Sequence, residues 1–237
     1  MHLIYLDTET TGLDPNARLV QLAYKTSATG EALNEYFKPP IPISFGAMSM
    51  HHITEKKVAD KPVFKDSAAQ ARLIALLAEG HILVAHNAAF DIHILKNEDV
   101  TIGQHIDTLR LAKHLVTSEQ YKLQYLRYFL DLDAEGLPHD AEGDVMVLEA
   151  LFNRLRSLTQ EKFTLAGDDE VLTKMLELSQ TPVLLKTFGF GKHINKTFEE
   201  VSFSDRGYLE WLYGSESKKN KSDQDEDLVH TLKYYLK

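Results

Sequence analysis

An α/β layer with a mixed sheet follows from how this 237-residue chain distributes its apolar residues. Three strand-like runs come first, and later short apolar runs alternate with stripes of helical period, the pattern of a sheet covered by helices. No repeat at a period of 20–50 residues competes with that reading.

Leu3 to Glu9 is the first strand candidate, followed by Val20 to Thr26 and Leu33 to Phe37, with Ala28-Thr29-Gly30 as the turn between the latter two. These three read as an antiparallel meander. Pro39-Pro40-Ile41-Pro42 then interrupts regular structure. Asp66 to Glu79 carries Ala69, Leu73, Leu76 and Leu77 as a helical stripe closed by Gly80. His81 to Ala85 is a buried strand and Ala88 to Leu95 the helix after it. Ile106 opens a fifth short strand that leads into a helix over Thr108–Leu115. Further helices are predicted over Lys122–Leu130, Asp144–Leu158 and Asp168–Leu178. The second of these has Asp144 as its N-terminal residue and Val145, Leu148, Leu151, Phe152 and Leu155 on one face. Ser179-Gln180-Thr181-Pro182 is the clearest seam. It divides the chain into a domain over 1–179 and a small module over 180–237.

Charge changes at the same seam. Residues 1–179 hold 17 Lys+Arg against 26 Asp+Glu, whereas residues 180–237 hold 9 against 9. Acidity argues against a non-specific nucleic-acid coat protein. It does not argue against a metal-dependent enzyme, because bound cations reverse the local sign. A hydrophobic content of 43% supports a core, and no apolar run reaches the roughly 18 residues needed for a membrane span. The N-terminus lacks the basic start and long apolar stretch of a signal peptide. The chain has no cysteine, which excludes thiolate metal sites and fits a reducing, cytoplasmic setting.

Three acidic signatures carry the chemistry: Asp7-Thr8-Glu9-Thr10-Thr11-Gly12, His86-Asn87-Ala88-Ala89-Phe90-Asp91 and His139-Asp140-Ala141-Glu142-Gly143-Asp144. Asp7 and Glu9 are two apart on a strand and so share a face. Paired carboxylates repel unless a cation lies between them. Asp91 on its own reads better as an ordinary first-turn helix acid, and an acid at Asp144 is equally unremarkable by itself. His86 and Asn87 read as structural. His139 stands five residues before Asp144 on a polar stretch, where a neutral imidazole can take a proton from water. Together these residues offer the oxygens that Mg²⁺ or Mn²⁺ prefers, with a base beside them.

With these residues in place, the chain resembles the DEDDh family of 3′–5′ exonucleases over residues 2 to about 158. The resemblance implies a ribonuclease-H-like fold with a mixed five-stranded sheet flanked by helices. It implies that Asp7, Glu9, Asp91 and Asp144 bind two Mg²⁺ or Mn²⁺ ions and that His139 is the general base. Thr10 and Leu13 are implied to hold the terminal nucleotide, Leu13 as an apolar wedge. Met48-Ser49-Met50-His51-His52-Ile53-Thr54 resembles the family's His-Gly-Ile-Thr segment, which implies substrate contact for His51. There His52 replaces the usual glycine.

The tail segments Phe188–His193, Lys196-Thr197, Asp205–Leu212 and Asp225–Leu228 resemble the C-terminal module of exodeoxyribonuclease-X-like proteins. Gly189 and Gly191 suit tight turns. Lys192, His193 and Lys196 form a basic cluster beside aromatics, suited to a nucleic-acid backbone, while Tyr208 and Trp211 read as module core. The resulting expectation is hydrolysis of DNA 3′ ends, single-stranded or frayed, in repair or end trimming. RNA trimming and polymerase-associated proofreading are the alternatives, and an inactive nucleic-acid-binding scaffold is the rival from another class. A homodimer is compatible with the sequence, and no membrane association is expected.

Overall fold

β1 (Leu3–Thr10) is the centre of a five-stranded sheet in the computed structural model, which describes residues 1–134, 141–221 and 224–237. With β2 (Leu19–Thr26), β3 (Ala32–Tyr36), β4 (Ile82–Ala85) and β5 (His105–Asp107), the sheet order is β3-β2-β1-β4-β5. The meander β1-β2-β3 is antiparallel, and β4 and β5 extend the sheet in parallel from β1. β1 is covered on both faces, which is why its first four residues are all apolar rather than alternating. Leu3 and Tyr5 face one apolar cluster, and Ile4 and Leu6 face the other.

On the Ile4 side lie α3 (Ala68–Ala78) and α4 (Ala88–Asn97). On the Leu3 side lie α5 (Thr108–Leu115), α6 (Leu123–Phe129), α7 (Ala141–Phe163) and α8 (Asp168–Gln180). α7 corrects the expected Asp144–Leu158 helix at both ends. Asp144 is its fourth described residue, and the helix continues past Leu158 to Phe163. Glu142 and Asp144 suit the positive end of a helix dipole, so a helix starting earlier than Asp144 meets no electrostatic penalty there.

Between β3 and α3 lie two short helices that were not foreseen, α1 (Phe45–His51) and α2 (Glu55–Val58), each begun by a hydroxyl cap, Ser44 on Ala47 and Thr54 on Lys57. They cover Val20, Ile43, Ile53 and Val58. Val20 reaches them through a bulge, since Glu9 pairs with Gln21 and Thr10 with Leu19. His52 ends α1 at φ 58°, with its N–H donated to the Met48 carbonyl. The backbone therefore takes the left-handed turn that favours glycine even though histidine stands there.

α4 is fastened at both ends. At its start the Asn87 N–H donates to Asp107 Oδ1 (3.0 Å), the same oxygen that caps α5 through the Leu109 N–H (2.9 Å). At its end the buried Glu98 carboxylate accepts from Arg18 Nε (2.8 Å), Arg18 Nη2 (2.7 Å) and the Leu19 N–H (3.2 Å). Fork-to-fork geometry and an added backbone donor are what a buried ion pair needs to offset desolvation.

The chain divides into two compact units, Met1–Ser179 and Gln180–Lys237. The second contains a 3₁₀ turn at Gly191–His193 and the helices α9 (Phe198–Ser204), α10 (Arg206–Ser217) and α11 (Glu226–Tyr235). Phe188, Phe198, Val201, Leu209, Leu212, Leu228 and Leu232 form its core. Gly191 has φ 70°, the left-handed region that favours glycine, and a Cβ there would lie 2.7 Å from Tyr208 Oη and displace the tip of that side chain. Tyr208 packs against this core, but Trp211 is 63% exposed, which corrects its expected core position. Leu209 and Leu212 take the inward face of α10 and leave Trp211 on the outward one. No described helix is long and apolar enough to cross a membrane.

Candidate active site

The carboxyl end of β1 supplies Asp7 and Glu9, half-buried on the face that looks towards α7. Across from them α7 presents Asp144, 7% exposed. One ligand oxygen from each of Asp7, Glu9 and Asp144 lies within 4.8 Å of the other two. Three carboxylates at that spacing repel one another. An all-oxygen donor set of high negative charge fits a hard divalent cation and offers nothing to a soft one.

Asp91 is placed differently. It sits in the first turn of α4, 4% exposed, and its Oδ1 accepts from Thr8 Oγ1 at 2.7 Å. Thr8 lies between Asp7 and Glu9 in sequence, so its side chain leaves the opposite face of β1. Burial pushes the Asp91 carboxyl up to about 7. The Thr8 hydrogen bond opposes that rise and the neighbouring Asp107 carboxylate adds to it. The structure therefore brings together three of the four expected ligands, while the fourth, Asp91, is held by hydrogen bonding to Thr8. His139 lies outside the described residues.

Asp144 Oδ1 accepts from Gln124 Nε2 of α6 at 2.5 Å. Neither Thr8 nor Gln124 was singled out from the sequence. Thr8 could have been flagged as the polar residue between two acids at a strand end. Gln124 carried no signal, being one polar residue on an amphipathic helix.

The residues expected to hold the terminal nucleotide cluster around the loop after β1. The Thr10 hydroxyl donates to the Gly12 carbonyl at 2.8 Å, which bends the chain beyond the acids. Leu13 follows at 88% exposure, an apolar side chain with almost no cover. His51 is buried, and both its ring nitrogens are engaged by backbone. Nδ1 accepts from the Ile53 N–H (2.9 Å), and Nε2 therefore carries the proton towards the Thr10 carbonyl (3.1 Å). Burial lowers its pKa and keeps the ring neutral. His51 thus ties the end of α1 to the end of β1. His86 is a second strut, with Nε2 against the Tyr121 carbonyl (2.7 Å) and Nδ1 against Thr108 Oγ1 (2.9 Å).

Comparison with known proteins bears on the same unit. The exonuclease family model (RNase_T) matches residues 4–152. Exodeoxyribonuclease 10 of Escherichia coli (strain K12) is 31% identical over 238 residues, covering 98% of this chain and 97% of that protein. The DNA polymerase III subunit epsilon of Buchnera aphidicola subsp. Acyrthosiphon pisum is 31% identical over 170 residues, 63% of this chain and 70% of that one. Among solved structures, exonuclease X in complex with 5′ overhanging duplex DNA superposes with a TM-score of 0.57 at 26% identity, over 75% of this chain and 99% of that chain. The mixed sheet flanked by helices is the ribonuclease-H-like arrangement of these neighbours. With an acid trio at the end of the central strand and a family match that spans all three signatures, the chain belongs to the exonuclease family, divalent-metal-dependent phosphodiester hydrolases.

Proposed function

We propose that this exonuclease removes nucleotides from DNA 3′ ends, with Asp7, Glu9, Asp91 and Asp144 as ligands for two Mg²⁺ or Mn²⁺ ions and His139 as general base. The observation that carries the reading is the convergence of Asp7, Glu9 and Asp144 oxygens within 4.8 Å. Cations held by these acids would supply charge stabilisation to the phosphodiester and acidify a bound water. The rest falls to the chain's own residues. The fixed carboxylates orient what binds between them, and a neutral His139 imidazole accepts the proton of the attacking water. Thr10 shapes the loop that presents Leu13, and Leu13 offers an apolar surface to the terminal base. His51 acts on the substrate by holding the Thr10 carbonyl in place.

DNA as the polymer is supported by full-length similarity to an exodeoxyribonuclease and by a structural neighbour that holds duplex DNA. The second unit supports nucleic-acid contact through exposed Phe190 and Trp211 and the solvent-facing Lys192. Similarity to the polymerase III epsilon subunit favours proofreading as a second reading. The cysteine-free composition supports action in the cytoplasm.

The test is 3′-end release from labelled DNA and RNA with Mg²⁺, with Mn²⁺ and with chelator, comparing wild-type and Asp144→Asn. The expected outcome is metal-dependent release from DNA and none from Asp144→Asn, whose circular dichroism stays native. Chelator-resistant release, or a fully active Asp144→Asn, overturns the metal reading. Faster release from RNA transfers the assignment to RNA trimming. Sedimentation of the same samples separates monomer from homodimer.

A further inference from the structure

The acids that come from helices are each held by a donor without charge. Asp144 on α7 accepts from Gln124 Nε2 on α6, and Asp91 on α4 accepts from Thr8 Oγ1 on β1. Both donors have fixed directions. Gln124 Oε1 faces Arg127 Nη1 at 3.5 Å, so the amide cannot be flipped without setting its oxygen against the Asp144 carboxylate. Leu126, fully buried two residues on, locks the rotation of α6 about its axis. Thr8 is buried within β1, with its neighbours paired in register to Ala23 and Gln21. Its branched side chain is stiff at χ1.

Carboxylates crowded together swing apart in the absence of a cation, and each must then be re-ordered when one arrives. A donor on a carboxylate oxygen opposes that swing. A lysine or arginine would also order the acid, but its charge would compete with the cation. An amide or hydroxyl orients the oxygen and leaves the charge of the site intact. We infer that Gln124 and Thr8 are positioning residues that pre-set Asp144 and Asp91 for divalent-metal binding. Neither touches the reacting atoms. The inference rests on the assignment of those two acids as metal ligands.

Mn²⁺ titration of the full-length protein without substrate, read by electron paramagnetic resonance, tests it. Gln124→Met and Thr8→Val keep volume and remove the donor. Each should weaken Mn²⁺ binding by about 10–100-fold, the usual loss when a partner behind a metal ligand is removed. Thr8→Ser, which restores the hydroxyl, should recover most of the affinity. Circular dichroism of each variant without metal should stay native, which separates a lost donor from a lost fold. Asp144→Asn serves as the control. If it loses Mn²⁺ while Gln124→Met and Thr8→Val retain wild-type affinity, the positioning role is overturned and the metal site stands. If Asp144→Asn binds Mn²⁺ as wild-type does, the metal-ligand reading itself fails. Thr8→Ser binding as poorly as Thr8→Val would show that shape rather than the hydroxyl matters, which also overturns the inference.

Discussion

His139 is where the rate should respond most directly to pH. A general base works in its neutral form, so single-turnover rates should rise as pH increases through the ordinary histidine range near 6.5 and then level off. His139→Ala should slow the reaction by about 10²–10⁴-fold and flatten that profile. A wild-type profile already flat from pH 5.5 to 8 would remove His139 from the role. At this scale the sequence exposed the charged residues and concealed their neutral partners. Asp7 and Glu9 were legible because a period of two on a strand forces a shared face. Thr8 and Gln124 were not, because a hydroxyl in a strand and an amide on a helix are ordinary until the fold shows what each one touches. The engagement of both His51 nitrogens depends on a turn that no local pattern announces.

α1 ends on His52 in a left-handed conformation, and that cap can be tested as an element. Relieving a side chain of left-handed geometry gains about 1–2 kcal/mol, and the freer unfolded chain of a glycine returns part of it. His52 is exposed, so His52→Gly loses little packing. The expected result is a net gain of about 0.5 kcal/mol, or roughly 1–2 °C in the unfolding midpoint by calorimetry. A lowered midpoint would mean that the imidazole makes contacts that outweigh the strain. All five strands were legible from apolar runs and turn residues, and so were the long helices of the first unit, whereas α9, α10 and α11 of the second were not predicted. α1 and α2 were missed because helices of seven and four residues carry too few turns to display a period. α7 was judged too short because its last turns, through Thr159 and Phe163, mix polar and apolar residues on a face packed only in part.

For the molecule as a whole, the two units offer separate readouts. Trp211, the single tryptophan, lies in the second unit and reports on that unit's unfolding. There Asp205 bonds Lys192 and His193, which pull its pKa down to about 2. A depressed carboxylate stabilises the fold above its unfolded value near 4, and that contribution disappears as pH falls towards 2. The gap in Trp211-monitored midpoint between wild-type and Asp205→Asn should therefore be full at neutral pH and shrink below pH 4. A gap that stays constant with pH would mean that the ion cluster contributes nothing. The first unit's frame carries a consequence for time. With α4 fastened by Asp107 at its start and by the Arg18–Glu98 fork at its end, Asp91 cannot approach the trio by sliding its helix. Adjustment of Asp91 on cation entry should then be a side-chain rotation, faster than the microseconds to milliseconds of a helix shift.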